Sequence, residues 1–228
     1  MGWAASHFID TLCDRLMTQK DIFIQFLSRQ FPNKWEVFLP RFEKFHSWLV
    51  EENSKINLFS RQTDPADIWI THFLDSLLAV KYLDFSGLKI LDFGTGGGLP
   101  GIPLAIIFGD ASLTLLDSRK KKIEAVKRAA SYLELTNCVF WGERLEELPP
   151  VHNGKFDMIV SRSVKIEPAF KNRLLNLLKP QGKLILYKSR NLEDIEQFKN
   201  AQIYDTSVPQ LGERKIIIVP KQLFKEQI

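Results

Sequence analysis

The chain has 228 residues, 45% of them hydrophobic and 25% charged, so it can bury one sizeable core with an extension but hardly two full-sized domains. Cys13 and Cys138 lie far apart and lack CxxC spacing, which speaks against a disulfide framework or a zinc site and suits a reducing, cytoplasmic setting. No apolar run approaches the roughly 18 residues of a membrane span, and a formal charge of +4 permits a polyanionic partner without amounting to a polybasic tail.

Residues 1–60 carry seven Lys/Arg and seven Asp/Glu, leaving 24 and 20 in the remainder, so the basic excess lies wholly beyond residue 60. The N-terminus has no basic segment followed by an apolar stretch, and Met1-Gly2-Trp3-Ala4-Ala5-Ser6 is too short a lipidation pattern to carry weight. Phe8, Leu12 and Leu16 share one helical spacing, and Trp35, Phe38, Phe42, Phe45 and Leu49 share another. An all-helical extension over 1–60 is expected, its aromatics in the core rather than on a base-stacking face. Asp64 and Pro65 then supply a cap and a first-turn proline for a helix running to about Val80.

From Leu88 the pattern turns to short apolar strands alternating with helices: 88–93, 112–117, 137–141, 156–161 and 183–188. Helices are expected near Pro100, at Ser118 as cap, near Glu167 and over 191–200. Segments 203–208 and 215–219 flank Gln210-Leu211-Gly212-Glu213 and read as a hairpin. The expected fold is α/β and Rossmann-like, a seven-stranded, mostly parallel sheet with one antiparallel hairpin strand, with 61–228 as the main domain.

The segment Leu91-Asp92-Phe93-Gly94-Thr95-Gly96-Gly97-Gly98-Leu99-Pro100-Gly101 joins the first strand to its helix. Glycines let such a turn fold tightly and approach a ligand closely. Gly96, Gly98 and Gly101 also satisfy GxGxxG, so the glycines alone do not choose a cofactor. Asp92, two residues before Gly94, completes Asp-x-Gly-x-Gly-x-Gly, which resembles motif I of S-adenosylmethionine-dependent methyltransferases, and an anion there suits a cationic amino-acid cofactor better than a pyrophosphate. Asp117 ends the second strand, where a carboxylate can accept from both ribose hydroxyls of either nucleoside cofactor. A dinucleotide and a ligand-free turn stay open as alternatives. Leu145 and Glu146 follow the third strand, a place for the adenine ring, although Glu146 also reads as a solvated helix-start charge.

Val160-Ser161-Arg162-Ser163-Val164 follows the fourth strand and contains neither an Asn-Pro-Pro-Tyr tetrad nor a Pro-Cys nucleophile. What remains is transfer to an atom that needs no deprotonation, such as purine N7, where alignment supplies most of the acceleration. His72, Asp75 and Ser76 sit three and four apart on one expected helix, which suits packing or a pocket role better than a hydrolase triad. Arg119-Lys120-Lys121-Lys122, with Lys127 and Arg128, is either a solvated face or a polyanion contact. Arg162, Lys165, Lys188, Arg190, Arg214 and Lys215 stand at strand ends or in the hairpin. Arg162 and Lys188 are the strongest candidates to act at the site, because both end parallel strands.

On these residues the chain resembles the bacterial ribosomal small-subunit methyltransferase G family, also called glucose-inhibited division protein B, which methylates guanine N7 in 16S ribosomal RNA. The resemblance runs from about Lys55 to Lys221. It rests on Asn57-Leu58, His72-x-x-Asp75-Ser76-Leu77, the glycine segment through Leu104, Leu115-Leu116-Asp117-Ser118, Arg144-x-Glu146 and Ser161-Arg162. It implies cofactor contacts from Gly94, Leu99, Leu145, Glu146 and Arg162, with Asp117 at the ribose, and Lys188 and Arg214 facing RNA or shaping the pocket. A monomeric, metal-free enzyme acting on 16S RNA or a small-subunit particle is expected. Ser163, Phe59 and Ser189 stand where the family usually has Ala, Thr and Gly. The other readings are a small-molecule methyltransferase on the same fold, and an RNA-binding or assembly factor without turnover.

Overall fold

A computed structural model describes residues 17–221. The Phe8, Leu12 and Leu16 stripe, Cys13 and the Met1 to Ser6 pattern lie outside the described residues.

Among the described residues two helices come first, α1 (Gln19–Gln30) and α2 (Trp35–Lys55). Thr18 starts α1 through a reciprocal capping box with Asp21. The α2 aromatics are core as expected: Phe42, Phe45 and Leu49 are fully buried. Asp64 accepts from the Ala66 N–H at 2.8 Å and opens a 3-10 turn (Pro65–Asp67). The helix that follows is not the regular one expected to Val80. It widens to π geometry over Trp69–Leu74, returns to one α turn at Asp75–Leu77, and tightens to 3-10 over Leu78–Lys81. The widening seats Trp69, Ile70, Phe73 and Leu74 in the core and keeps Asp75 and Ser76 buried behind them.

Seven strands follow: β1 (Lys89–Phe93), β2 (Ser112–Leu116), β3 (Cys138–Trp141), β4 (Phe156–Arg162), β5 (Leu178–Lys188), β6 (Gln202–Asp205) and β7 (Lys215–Pro220). They form one sheet in the order β3-β2-β1-β4-β5-β7-β6. β7 alone runs opposite to the other six strands, which is the seven-stranded methyltransferase arrangement read from the sequence. Helices α3 (Gly101–Ile107), α4 (Lys120–Tyr132) and α5 (Pro168–Leu177) make the crossovers.

Side chains alternate across the sheet. Ile90, Leu113, Val160, Ile185 and Ile218 pack on one face with α1, α2, the connecting helix, α3 and α4. Leu91, Ile159, Leu184, Leu186 and Ile217 pack on the other with α5 and the loops around Leu145 and Ile195.

Three local expectations are corrected. Ser118 does not cap α4; Arg119 holds the cap position without a side-chain bond, and Asp117 Oδ1 accepts its N–H at 2.9 Å. β5 starts five residues before Lys183, because Leu178 pairs with Phe156 ahead of an irregularity that carries the register to Met158 and Lys183. Residues 191–200 hold only a 3-10 turn (Glu193–Ile195), since Asn191 folds its side chain onto the Glu193 N–H and Gln197 bonds the Ile166 and Asp194 carbonyls.

Candidate active site

The carboxyl ends of β1, β2, β4 and β5 carry the residues singled out above. At the end of β1 the chain makes a turn with positive φ at Gly94 (75°), Gly96 (56°) and Gly98 (86°). At Gly94 the need for glycine is also steric, because a Cβ would lie 2.5 Å from Val164 Cγ2. The turn is pinned to β2 by the Gly94 and Thr95 N–H groups, both donating to the Leu116 carbonyl.

Asp92 fixes the turn from below. It is fully buried, and its Oδ2 accepts from Thr95 Oγ1 at 2.6 Å and from the Gly101 N–H at 2.8 Å. Burial pushes its carboxyl up to about 6, against the pull of those two hydrogen bonds. A Cβ on Gly101 would sit 2.7 Å from Asp92 Oδ2, so glycine there lets the helix approach the strand. Asp92, Gly98 and Leu99 are buried behind the turn, whereas Gly94 and Gly96 are partly open. Asp117 meets the turn from β2, its Oδ2 accepting from the Gly96 N–H at 3.0 Å.

Around this point lies a cavity of about 310 Å³ lined by Phe93, Gly94, Asp117, Leu145, Glu146 and Phe170, among others. Its far wall is a 3-10 turn (Leu145–Glu147) whose first two N–H groups, those of Leu145 and Glu146, are not used by the turn itself. The cavity thus offers carboxylates at Asp117 and Glu146, free amides, and aromatic faces at Phe93 and Phe170. That donor set fits an adenosyl group, with hydroxyls for the acids, a ring for the apolar walls and ring nitrogens for the amides.

A second cavity, also about 310 Å³, opens on the other side of Val164, which lines both. Arg162, Lys188 and Arg214 line this one, with Asp75, Asp194, Ser163 and Lys165. Arg162 lines this cavity and not the first. Its Nη1 donates to Asp75 Oδ2 at 2.9 Å and to the Thr71 carbonyl at 3.1 Å. Arg214 Nε donates to the other oxygen of Asp75 at 3.1 Å. Lys188 donates to the Val164 carbonyl at 3.0 Å and pairs with Asp194, which also accepts the Ile166 N–H at 2.7 Å. It therefore holds the 163–166 loop that divides the two cavities. His72 stands near Arg162 and meets the Phe59 ring in a T-shaped contact at 4.7 Å. Burial, and secondarily Arg162, lowers its imidazole to about 4, so the ring is neutral.

Sequence reasoning did not anticipate Asp75 as the carboxylate shared by two arginines, nor Asp194 as the partner of Lys188. The His72-x-x-Asp75-Ser76 block was the one available signal for the first. Among the described residues no cluster of three His, Cys, Asp or Glu side chains could hold a metal, and no helix is long and apolar enough to cross a membrane.

Known proteins share both fold and sequence with the chain. It superposes on an O-methyltransferase from Bacillus cereus, solved in complex with SAH, with a TM-score of 0.57 and 19% identity over 77% of this chain and 90% of that one. A tRNA methyltransferase from Aquifex aeolicus gives a TM-score of 0.53 at 17% identity, over 71% and 72% of the two chains. These likenesses show the fold. In sequence, the ribosomal RNA small subunit methyltransferase G of Christiangramia forsetii is 36% identical over 192 residues, covering 81% of this chain and 89% of that protein. The protein of the same name from Chlorobium chlorochromatii is 42% identical, covering 78% and 76%. Residues 39–217 match the family described as rRNA small subunit methyltransferase G. With the strand order, the glycine turn and the strand-end acids all in place, the chain belongs to that family of methyltransferases.

Proposed function

We infer that the enzyme transfers the methyl group of S-adenosylmethionine to N7 of a guanine in 16S ribosomal RNA. The cofactor and the reaction class come with the family, and the acceptor atom is the reading argued here. The observation that carries it is the state of the acids in the second cavity. Asp75 is engaged by two arginines and Asp194 by Lys188, so the second cavity presents no unpaired carboxylate to the acceptor. An acceptor atom with an unshared pair and no proton to lose is the one such a site can serve, and guanine N7 is of that kind.

When bound, the cofactor supplies an electrophilic methyl on a sulfonium. Asp117 would hold its ribose, Leu145 and Glu146 would receive its adenine, and Gly94 and Gly96 would let the backbone approach it. Asp92, Gly98 and Leu99 act one layer back, by fixing the course of the turn. Lys188 holds the 163–166 loop between the two cavities, and Arg162 and Arg214 would offer N–H groups to the acceptor. The enzyme works as a metal-free cytoplasmic monomer on 16S RNA or a small-subunit particle, with residues 1–60 as an extension of a catalytic domain over 61–228.

Tritium-labelled cofactor incubated with unmethylated small-subunit particles tests the reading. Label is expected in RNA at one guanine that becomes cleavable as N7-methylguanine. Label in another atom or in protein, or RNA-independent turnover that persists at high salt, would overturn it.

A further inference from the structure

Of the ionisable groups around the second cavity, Asp75 has the most unusual set of neighbours. It lies at the end of the π-helical segment, where its backbone N–H is directed at the Ile70 and His72 carbonyls. Irregular turns of this kind recur at functional sites because they redirect one side chain out of the helical repeat. The turn is locked from two further directions. Ser76 Oγ donates to the His72 carbonyl at 2.5 Å, and Tyr187 Oη, from β5, donates to the Ser76 carbonyl at 3.0 Å. The carboxylate so held takes Arg162 from β4 on one oxygen and Arg214, just ahead of β7, on the other.

Each guanidinium has five N–H donors. Arg162 uses only Nη1, and Arg214 uses Nε toward Asp75 and Nη1 toward the Glu213 carbonyl. Nε and Nη2 of Arg162 and Nη2 of Arg214 therefore have no partner among the described residues. The Arg162 side chain is 11% exposed and that of Arg214 27%, so both can meet a ligand with little competing water. The three groups together carry a net charge of +1, which calls for an anion.

We propose that Asp75 is a positioning residue that orients Arg162 and Arg214 so that their remaining N–H groups grip the phosphate of the nucleotide to be methylated. The proposal rests on the function inferred above for the chemistry of the acceptor, but its test reads binding rather than turnover. Phosphate is recognised through planar, fixed N–H pairs, and a guanidinium free to rotate loses that geometry while keeping its charge. Removing the charge of Asp75 raises the local charge yet weakens the grip, an outcome opposite to simple electrostatics.

The experiment compares wild type with Asp75→Asn, Asp75→Glu and Arg214→Gln. It measures the affinity for small-subunit particles between 50 and 200 mM salt, and cofactor affinity by calorimetry. Asp75→Asn should weaken particle binding about tenfold, the loss of one charge-assisted contact, and reduce the salt slope by about one unit. Cofactor affinity should stay within about twofold, and Asp75→Glu should recover part of the loss. Arg214→Gln, at the more exposed arginine, should reproduce the weakening even if Asp75→Asn does not fold. Unchanged particle affinity in either folded variant overturns the proposal, as does a loss shared equally by the cofactor. If wild type binds particles but leaves guanine N7 unlabelled, the function fails while the phosphate grip is still judged by the variants.

Discussion

Asp92 and Asp117 end neighbouring parallel strands, yet their surroundings give them different work. Asp117 is half-buried with one oxygen on the Gly96 N–H and the other on the Arg119 N–H, so its carboxylate is oriented across the cavity mouth. Replacing it with Ala should weaken cofactor binding by about 1 to 3 kcal/mol, the range for hydrogen bonds to a charged acceptor, as calorimetry would show. Asp92 is sealed in, and its carboxyl is raised from 3.8 to about 6 by burial. A raised acid favours folding when protonated, so its contribution is full below about pH 4 and lost as pH rises through 6, roughly 3 kcal/mol over the window. His72 acts in the opposite sense. Its folded value, about 4 against 6.5, makes it oppose folding in acid and cease to do so above about 6.5. Melting temperatures from pH 4 to 7 should therefore gain a steeper upward slope with pH in Asp92→Asn and lose slope in His72→Phe. If neither slope changes, neither group is the buried titrating site described here.

At the scale of the elements, the strands and the glycine turn were legible because their signals are local: apolar runs of period two or fully buried, then a cluster of residues that tolerate positive φ. The π-helical segment was not, since a run such as Trp69-Ile70-Thr71-His72-Phe73-Leu74 fits α spacing equally well until the tertiary contacts select a wider turn. Nor could spacing reveal that Asp75 would meet Arg214, 139 positions away. Lys188 was legible as a strand-end cation, but its pairing with Asp194 depends on a loop that sequence rules read as a helix. The same layer carries a stability prediction. Phe42 packs on Phe23 at 4.9 Å and on Phe73 at 5.2 Å between ring centroids, all three fully buried, tying α1 and α2 to the connecting helix. Phe42→Ala should cost about 3 to 5 kcal/mol in urea unfolding, and a loss under about 1 kcal/mol would mean the aromatic layer is not the seam it forms here.

Across the whole molecule, one apolar cluster runs from Phe23 and Leu27 of α1 through Phe42 and Phe45 of α2 to Ile90, Leu113 and Ile185 of the sheet. Among the described residues the helical extension and the Rossmann-like body therefore share one apolar core. The extension also reaches the site: Asn53 Oδ1 accepts the Leu58 and Phe59 N–H groups at 2.8 and 3.1 Å, and Leu58 lies against Gly97 of the glycine turn. Arg128 of α4 pairs with Glu52 of α2 across the same junction. A unit built this way has no plane along which residues 17–60 can detach without exposing Phe73 and the sheet face. Unfolding in urea should then be a single transition. Tryptophan fluorescence weights the helical layer through Trp35, Trp48 and Trp69, while far-UV circular dichroism averages the sheet and its crossovers. The two should fall on one curve with one midpoint, and both should shift together when saturating S-adenosylmethionine is added, because the glycine turn and the extension share the packing that is lost. Separate midpoints, or a shift confined to one probe, would make the extension an independently folding part and remove it from the architecture of the site.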